Sequence, residues 1–422
     1  MKKSLIMTAI ITILVLSVLL FSGCLLIEQK TAILWTNIPE VAAYVEIFNA
    51  SQSNYRVELV YSENPANFRK LTEEGAPDIV ISENLASNAI ISAFAPLDKL
   101  IEKERFDPST LYPDLYKLGT REGIPYTLPL SFNIPAIMFK QGNLSEKISG
   151  TTISPLQLRA EAEIYNGRST EKSRVTGFSP SWEPEFLLKN AFIFKSDFAE
   201  TEDGSLIWND ENLNSSIKFT RDWTENINSG WAAEKDFALT YCYDPGYKLL
   251  NADRIGFHYT TLKDFFTIPA EDRSSLDFKW LGSETSIPVC RDIVFTGIPK
   301  LSAKKKTAEA FILWLLDAGT QKILLESSHF KRTRGFGICD GLSSLRSINQ
   351  LVIPAHYKRL IGAVPSPEYL SFPKNLPVDW QQIRDDVIIP WLLSQNSKEP
   401  PSESLAKILK TWTLQEKRIK HE

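Results

Sequence analysis

Between Thr31 and Asp98 the chain alternates strand-like and helix-like segments, and this alternation narrows the fold more than any other feature. Thr31–Trp35 reads as a short strand. Pro39-Glu40 opens a helix, and Val41, Tyr44, Val45 and Phe48 then recur at i, i+3, i+4, i+7 as one apolar face. Tyr55, Val57, Leu59 and Tyr61 alternate as a strand. Asn64-Pro65 starts a second helix carrying Phe68 and Leu71, and Gly75-Ala76-Pro77-Asp78 stops it. Ile79–Ile81 is a buried strand, and Leu85–Phe94 reads as a helix ended by Ala95-Pro96. Such an order implies a parallel sheet with helices on its faces. Ligands of such sheets bind beyond the carboxyl ends of the strands. That rule selects Trp35-Thr36-Asn37 and Ser82-Glu83-Asn84, although Asn and Ser at strand ends also serve simply as helix caps.

The 422 residues are too many for one compact core, so two lobes are expected. With 43% hydrophobic and 23% charged residues the chain is globular in composition. A net charge of −4 gives no reason to expect nucleic acid. The stretch Tyr126–Phe139 carries Pro129 and Pro135, which argue against a helix interior and a central strand. They suit an extended crossing between lobes, with Ser131 and Asn133 as polar groups at its midpoint, beside a ligand cleft.

At the N-terminus Lys2-Lys3 precede an apolar run from Leu5 to Phe21, followed by Ser22-Gly23-Cys24. These are the parts of an export signal. Small residues directly before a Cys resemble the lipobox of bacterial lipoproteins. The resemblance implies that residues 1–23 are removed and that Cys24 is acylated, holding the chain at the outer face of a membrane. An uncleaved anchor and a plain secretory signal are the alternatives. Cys242, Cys290 and Cys339 are far apart and lack C-x-x-C spacing, so they read as small buried hydrophobes rather than a disulfide framework or a zinc site. Neither a nucleophile elbow, an H-E-x-x-H motif nor a P-loop is present. No cofactor or metal is therefore expected, and a binder is favoured over an enzyme, with a glycosidase-type carboxylate pair left open.

The Trp-bearing first strand, the Glu-led helix ending in Phe48-Asn49, Gly75-x-Pro77-Asp78-Ile79-Val80 and Ala95-Pro96-Leu97-Asp98 together resemble the extracellular solute-binding proteins of ABC importers, in the branch that contains maltose-binding protein. Gly123-Ile-Pro-Tyr126-Thr-Leu-Pro129 is similar to the stretch leading into that family's first lobe crossing. The buried helix Ala308–Leu316, its break at Gly319 and the Thr320-Gln321 that follows are similar to another family feature. The resemblance implies an α/β, periplasmic-binding-protein-like type II fold with two lobes and a hinge of three crossings. These crossings are expected near Leu130–Pro135, Arg291–Pro299 and Arg334–Asp340. Residues 24–131 with 297–333 would form the first lobe, and 132–296 with 334–422 the second.

The same resemblance places Glu183-Pro184, the strand end at Tyr259-Thr260 and Trp380 at the cleft. Trp182, Tyr259 and Trp380 would present flat apolar faces to a sugar, while Asn37, Asn84, Asn133 and Glu185 would reach its hydroxyls. Each ring has a plainer reading as core, and His258 reads as a packing residue. Arg291 and Arg334, if both face the cleft, would instead favour an anion such as a glycerophosphodiester. The expected function is capture of a small solute, a sugar or oligosaccharide first of all, by a monomer that delivers it to an ABC permease. Lys304-Lys305-Lys306 reads as a solvated face, with contact to that permease as the sharper possibility. A sensor or surface-interaction protein keeping the same fold is the alternative.

Overall fold

The computed structural model describes residues 31–71, 75–102, 105–170, 173–289, 293–331 and 335–419. The signal segment 1–23, Cys24, Cys290, Arg291 and Arg334 lie outside them. No helix among the described residues is long and apolar enough to cross a membrane.

Two sheets organise the chain. In the first, β1 (Thr31–Thr36) lies between β2 (Arg56–Tyr61) and β3 (Ile79–Glu83), parallel to both. The expected strand–helix–strand unit is thus present, with α1 (Val41–Ser51) burying Val41, Tyr44, Val45 and Phe48. Phe48 meets Phe311 edge-on at 5.0 Å, which fastens α1 to the later helix Lys305–Leu315. Asp78 of the Gly-x-Pro-Asp stretch is a structural tie. Its carboxylate accepts hydrogen bonds from Ile33 N at 3.0 Å, Ser302 Oγ at 2.8 Å and Lys304 N at 2.9 Å. One buried acid therefore joins β1 to the turn before that helix. Leu85–Phe94 departs from expectation: only Asn88–Ile91 is helical, capped by the Ser87 side chain on Ala89 N.

The sheet continues with β4 (Thr127–Phe132), then β5 (Pro135–Lys140) and β6 (Thr152–Ile153) in the other sheet. The chain later adds β7 (Phe257–Thr261), β8 (Leu276–Leu281), β9 (Val294–Gly297) and β10 (Leu342–Ser343). The first sheet has the order β10-β4-β9-β3-β1-β2 and the second β7-β5-β8-β6. The chain thus passes from one sheet to the other across Asn133-Ile134. The prolines do not keep this stretch out of strands. Pro129 lies within β4, in register with Phe295 beside an irregularity between Val294 and Phe295. On its other flank β4 is paired by β10 only at Phe132 and Ser131. Proline is tolerated where a strand is bulged or at an edge, and as a first strand residue, the place Pro135 occupies.

Another correction concerns residues after 334. Leu342-Ser343 pairs with β4, so the chain is still in the first sheet there rather than in the second lobe. It reaches the second sheet further on, where Trp280 Nε1 donates to Ala363 O at 2.7 Å. Gln321, fully buried, explains why an amide follows the helix break. Its Nε2 donates to Leu315 O at 2.9 Å and its Oε1 accepts from Ser343 Oγ at 2.5 Å, tying the broken helix to β10.

Candidate functional site

Three cavities with volumes of about 220, 310 and 1220 Å³ adjoin; the two smaller lie where the lobes face each other, and the largest is lined by second-lobe residues alone. The two smaller ones share Asn37 and Glu83, and Thr261 and Asp264 join the smallest to the largest. The first wall of the two smaller ones is the carboxyl edge of β1, β2 and β3: Asn37, Glu63-Asn64 and Ser82-Glu83-Asn84. This is where the topology of a parallel sheet puts a ligand. The opposite wall comes from the second lobe. It comprises Val378–Asp386 at the start of a late helix, the end of β7, and helix Leu262–Thr267 after it.

Asn37, Asn84, Asn133, Glu185, Tyr259 and Thr260 all line these cavities. Asn37 Oδ1 accepts from Ser82 Oγ at 3.0 Å, which fixes its amide at the edge of the sheet. Asn133, in the crossing itself, donates from Nδ2 to Asp340 O at 2.7 Å, while its buried Oδ1 has no protein partner. Ser131 lies beneath the floor, fully buried, with Oγ 3.5 Å from Cys339 O. Glu185 stands 3.7 Å from buried Lys189 Nζ and 3.8 Å from Arg384 Nε, so it also neutralises two cations beneath the cavity wall. His258 lines the largest cavity: its ring covers Gly246 and its Nδ1 lies 2.6 Å from Glu183 Oε1.

The tryptophans are placed differently. Trp380 is 4% exposed and packs in the helical core against Phe198 at 5.7 Å and Phe192 at 6.5 Å. The expectation of a stacking platform there is not met, because the first turn of the late helix turns its ring inward. Trp182 lies flat on Phe237, and its Nε1 donates to Glu234 O at 3.1 Å. Neither Trp182 nor Trp35 is among the residues lining the three cavities. Cys339 is buried, as read from the sequence, but Cys242 is exposed.

Acidic side chains dominate what sequence reasoning missed: Glu40, Glu63, Asp264, Asp340, Asp385 and Asp386. The strand-end rule that selected Asn37 and Asn84 points equally to Glu63 after β2. Asp340 was hidden in the Gly-rich loop. Its carboxylate meets Lys263 Nζ at 2.8 Å and accepts from Phe336 N at 3.0 Å. Burial pushes the neighbouring Glu40 carboxyl up to about 7, with Asp340 beside it adding to the shift.

No family profile and no curated protein matches the chain. Solved structures do. An ABC substrate-binding protein from Listeria monocytogenes in complex with cycloalternan superposes with a TM-score of 0.61 at 16% identity, covering 91% of this chain and 97% of that one. The GacH receptor of Streptomyces glaucescens, solved unliganded and with acarbose, gives 0.62 at 15%, covering 90% and 97%. The sugar-binding protein MalE of Xanthomonas citri gives 0.65 at 14%, covering 90% and 95%. Nearly the whole length of each is matched, so the chain has the mixed α/β type II fold of these periplasmic binding proteins.

Proposed function

We propose that the protein binds a sugar or oligosaccharide in the interlobe cleft and delivers it to the permease of an ABC importer. The observation that carries this reading is the cleft itself, walled by the carboxyl edge of β1–β3 on one side and by the second lobe on the other. Its carboxylates and amides accept and donate hydrogen bonds in the manner that reads hydroxyls, and mismatched groups there are costly. The structures it superposes on include binders of cycloalternan and acarbose. The acidic lining disfavours an anionic glycerophosphodiester. Titration calorimetry with maltotriose, mannotriose and acarbose, paired with small-angle scattering, tests the reading. Binding with compaction of the particle supports it, since closure requires tighter binding to the closed form. No binding by any saccharide of a broad panel overturns it.

We further propose that acylated Cys24 holds the mature chain at the outer face of a bacterial membrane, through the Ser22-Gly23-Cys24 step. Two or more acyl chains anchor stably where one does not. Cys24→Ser is expected to release or misprocess the protein; a variant that stays membrane-bound at normal mass overturns the anchor.

A further inference from the structure

We infer that the amino edge of the first sheet is a membrane-docking surface that lies on anionic phospholipid headgroups; this rests on the Cys24 anchor proposed above. β1 begins at Thr31, and six residues separate it from Cys24. Even fully extended, a tether of that length reaches about 25 Å. A globule of this size is about 50–60 Å across, so the anchored chain cannot turn its far side to the bilayer. The edge at which β1 begins is held near the headgroups. β9 runs antiparallel to β3, so the chain leaves β9 at this same edge. The turn that follows is tied to the start of β1 through Asp78, whose carboxylate accepts from Ile33 N, Ser302 Oγ and Lys304 N. Thr296–Ala308 carries Lys300, Lys304, Lys305 and Lys306 and no acid. Lys300, Lys305 and Lys306 are exposed, and Leu301 between them is 45% exposed.

A second observation points the same way. Lys304 is the N-cap of helix Lys305–Leu315, and Lys305-Lys306 are its first residues, with no acid in the first turn and no side-chain cap. The free N–H groups of a helix start carry partial positive charge, which repels three ammonium groups placed there. Glu309, the one carboxylate of that helix, is taken by Arg105 at 3.1 Å. Phosphate headgroups relieve the repulsion, and Leu301 enters the interface beside them. The cleft lies at the opposite end of the strands, about 20 Å away, and faces the solution from which solute arrives. Four lysines hold such a contact reversibly and in a salt-sensitive way.

The test uses the full mature acylated chain on vesicles of phosphatidylcholine, alone or mixed with phosphatidylglycerol. An amine-specific reagent labels the lysines, and mass spectrometry reads the rate at each. Lys300, Lys304, Lys305 and Lys306 are expected to react about fivefold more slowly on the anionic vesicles. Lys218 and Lys235, exposed on the second lobe, should keep their rates. High salt should remove the difference. The triple variant Lys304→Gln, Lys305→Gln, Lys306→Gln should return Lys300 to its rate on neutral vesicles, and a circular-dichroism melt confirms that the variant is folded. Equal rates on both kinds of vesicle overturn the inference and leave the anchor standing. Slowing in membranes of the producing cells but on neither protein-free vesicle assigns the turn to a protein partner and also overturns it. A mature chain without an acyl group removes the anchor and the inference with it.

Discussion

Lys263 on the second lobe places its Nζ 2.8 Å from Oδ2 of Asp340, in the loop that leads into the first sheet. The pair bridges the lobes at the floor of the cleft, next to the crossing at Asn133. The Lys263 side chain is 44% exposed and that of Asp340 13%, so the pair is worth no more than about 1 kcal/mol to folding. Its weight falls on the balance between open and closed forms, where small energies shift populations strongly. Lys263→Met is therefore expected to leave the melting temperature nearly unchanged and to enlarge the unliganded particle in small-angle scattering. An unchanged scattering profile shows that the pair does not hold the lobes.

Glu40 supplies a pH dependence. Burial and the adjacent Asp340 raise its carboxyl from 4.5 to about 7 in the folded chain. The folded state therefore binds the proton more tightly than the unfolded state. The stability this proton confers is fully present below the unfolded value near 4.5 and is lost as pH rises through about 7. Melting curves across that window should fall with pH more steeply for the native chain than for Glu40→Gln. Parallel curves would place the proton elsewhere.

Trp182 and Trp380 are expected to behave as packing residues. Trp380→Ala empties a site in a closely packed helical core and should destabilise by about 3–5 kcal/mol. Trp182→Ala removes a ring stacked on Phe237 with centroids 4.9 Å apart. It should also lower the denaturation midpoint, by less, because its ring is only half buried. In either variant, chains that remain folded should bind saccharide within about twofold of the native protein. Lost affinity with a native-like melt would return that ring to the cleft.

Local patterns carried the fold a long way. The face of α1 was legible because four apolar residues recur at helical spacing, and the strand ends because the parallel unit dictates where a ligand sits. Asn37 and Asn84 line the cleft for that reason. The tryptophans were not legible: a ring at or just before a helix start points inward or outward depending on partners distant in sequence, and Phe198 and Phe237 decide it here. The acidic character of the cleft escaped for the same reason. Glu63 and Asp386 are more than three hundred residues apart, and only the tertiary fold sets them in one cavity. Pro129 misled because the rule against proline concerns regular central strands, and β4 is irregular there.

The Gly-rich loop that resembles no phosphate site has a steric task. Gly337 holds a φ of +62°, and a Cβ built on it would lie 2.0 Å from Gly341 O. A Cβ on Gly341 would meet Phe132 O at 2.7 Å, C at 3.1 Å and N at 3.2 Å, all backbone of β4 at the point where the chain leaves the first sheet. Backbone atoms cannot swing aside as a side-chain tip does, so a Cβ on Gly341 must push the loop away from β4, and one on Gly337 must open the loop against Gly341. Gly341→Ala is expected to cost about 1–3 kcal/mol. Gly337→Ala should cost more, because it adds left-handed strain to the clash. Gly362 supplies the control, with a φ of +72° and nothing within 4 Å of its would-be Cβ. Gly362→Ala should therefore show the strain alone, about 1 kcal/mol. Denaturant midpoints measured side by side should fall in the order Gly362, Gly341, Gly337, from least to most damaging. A Gly341 variant as stable as the native chain would mean that the loop is free to move off β4.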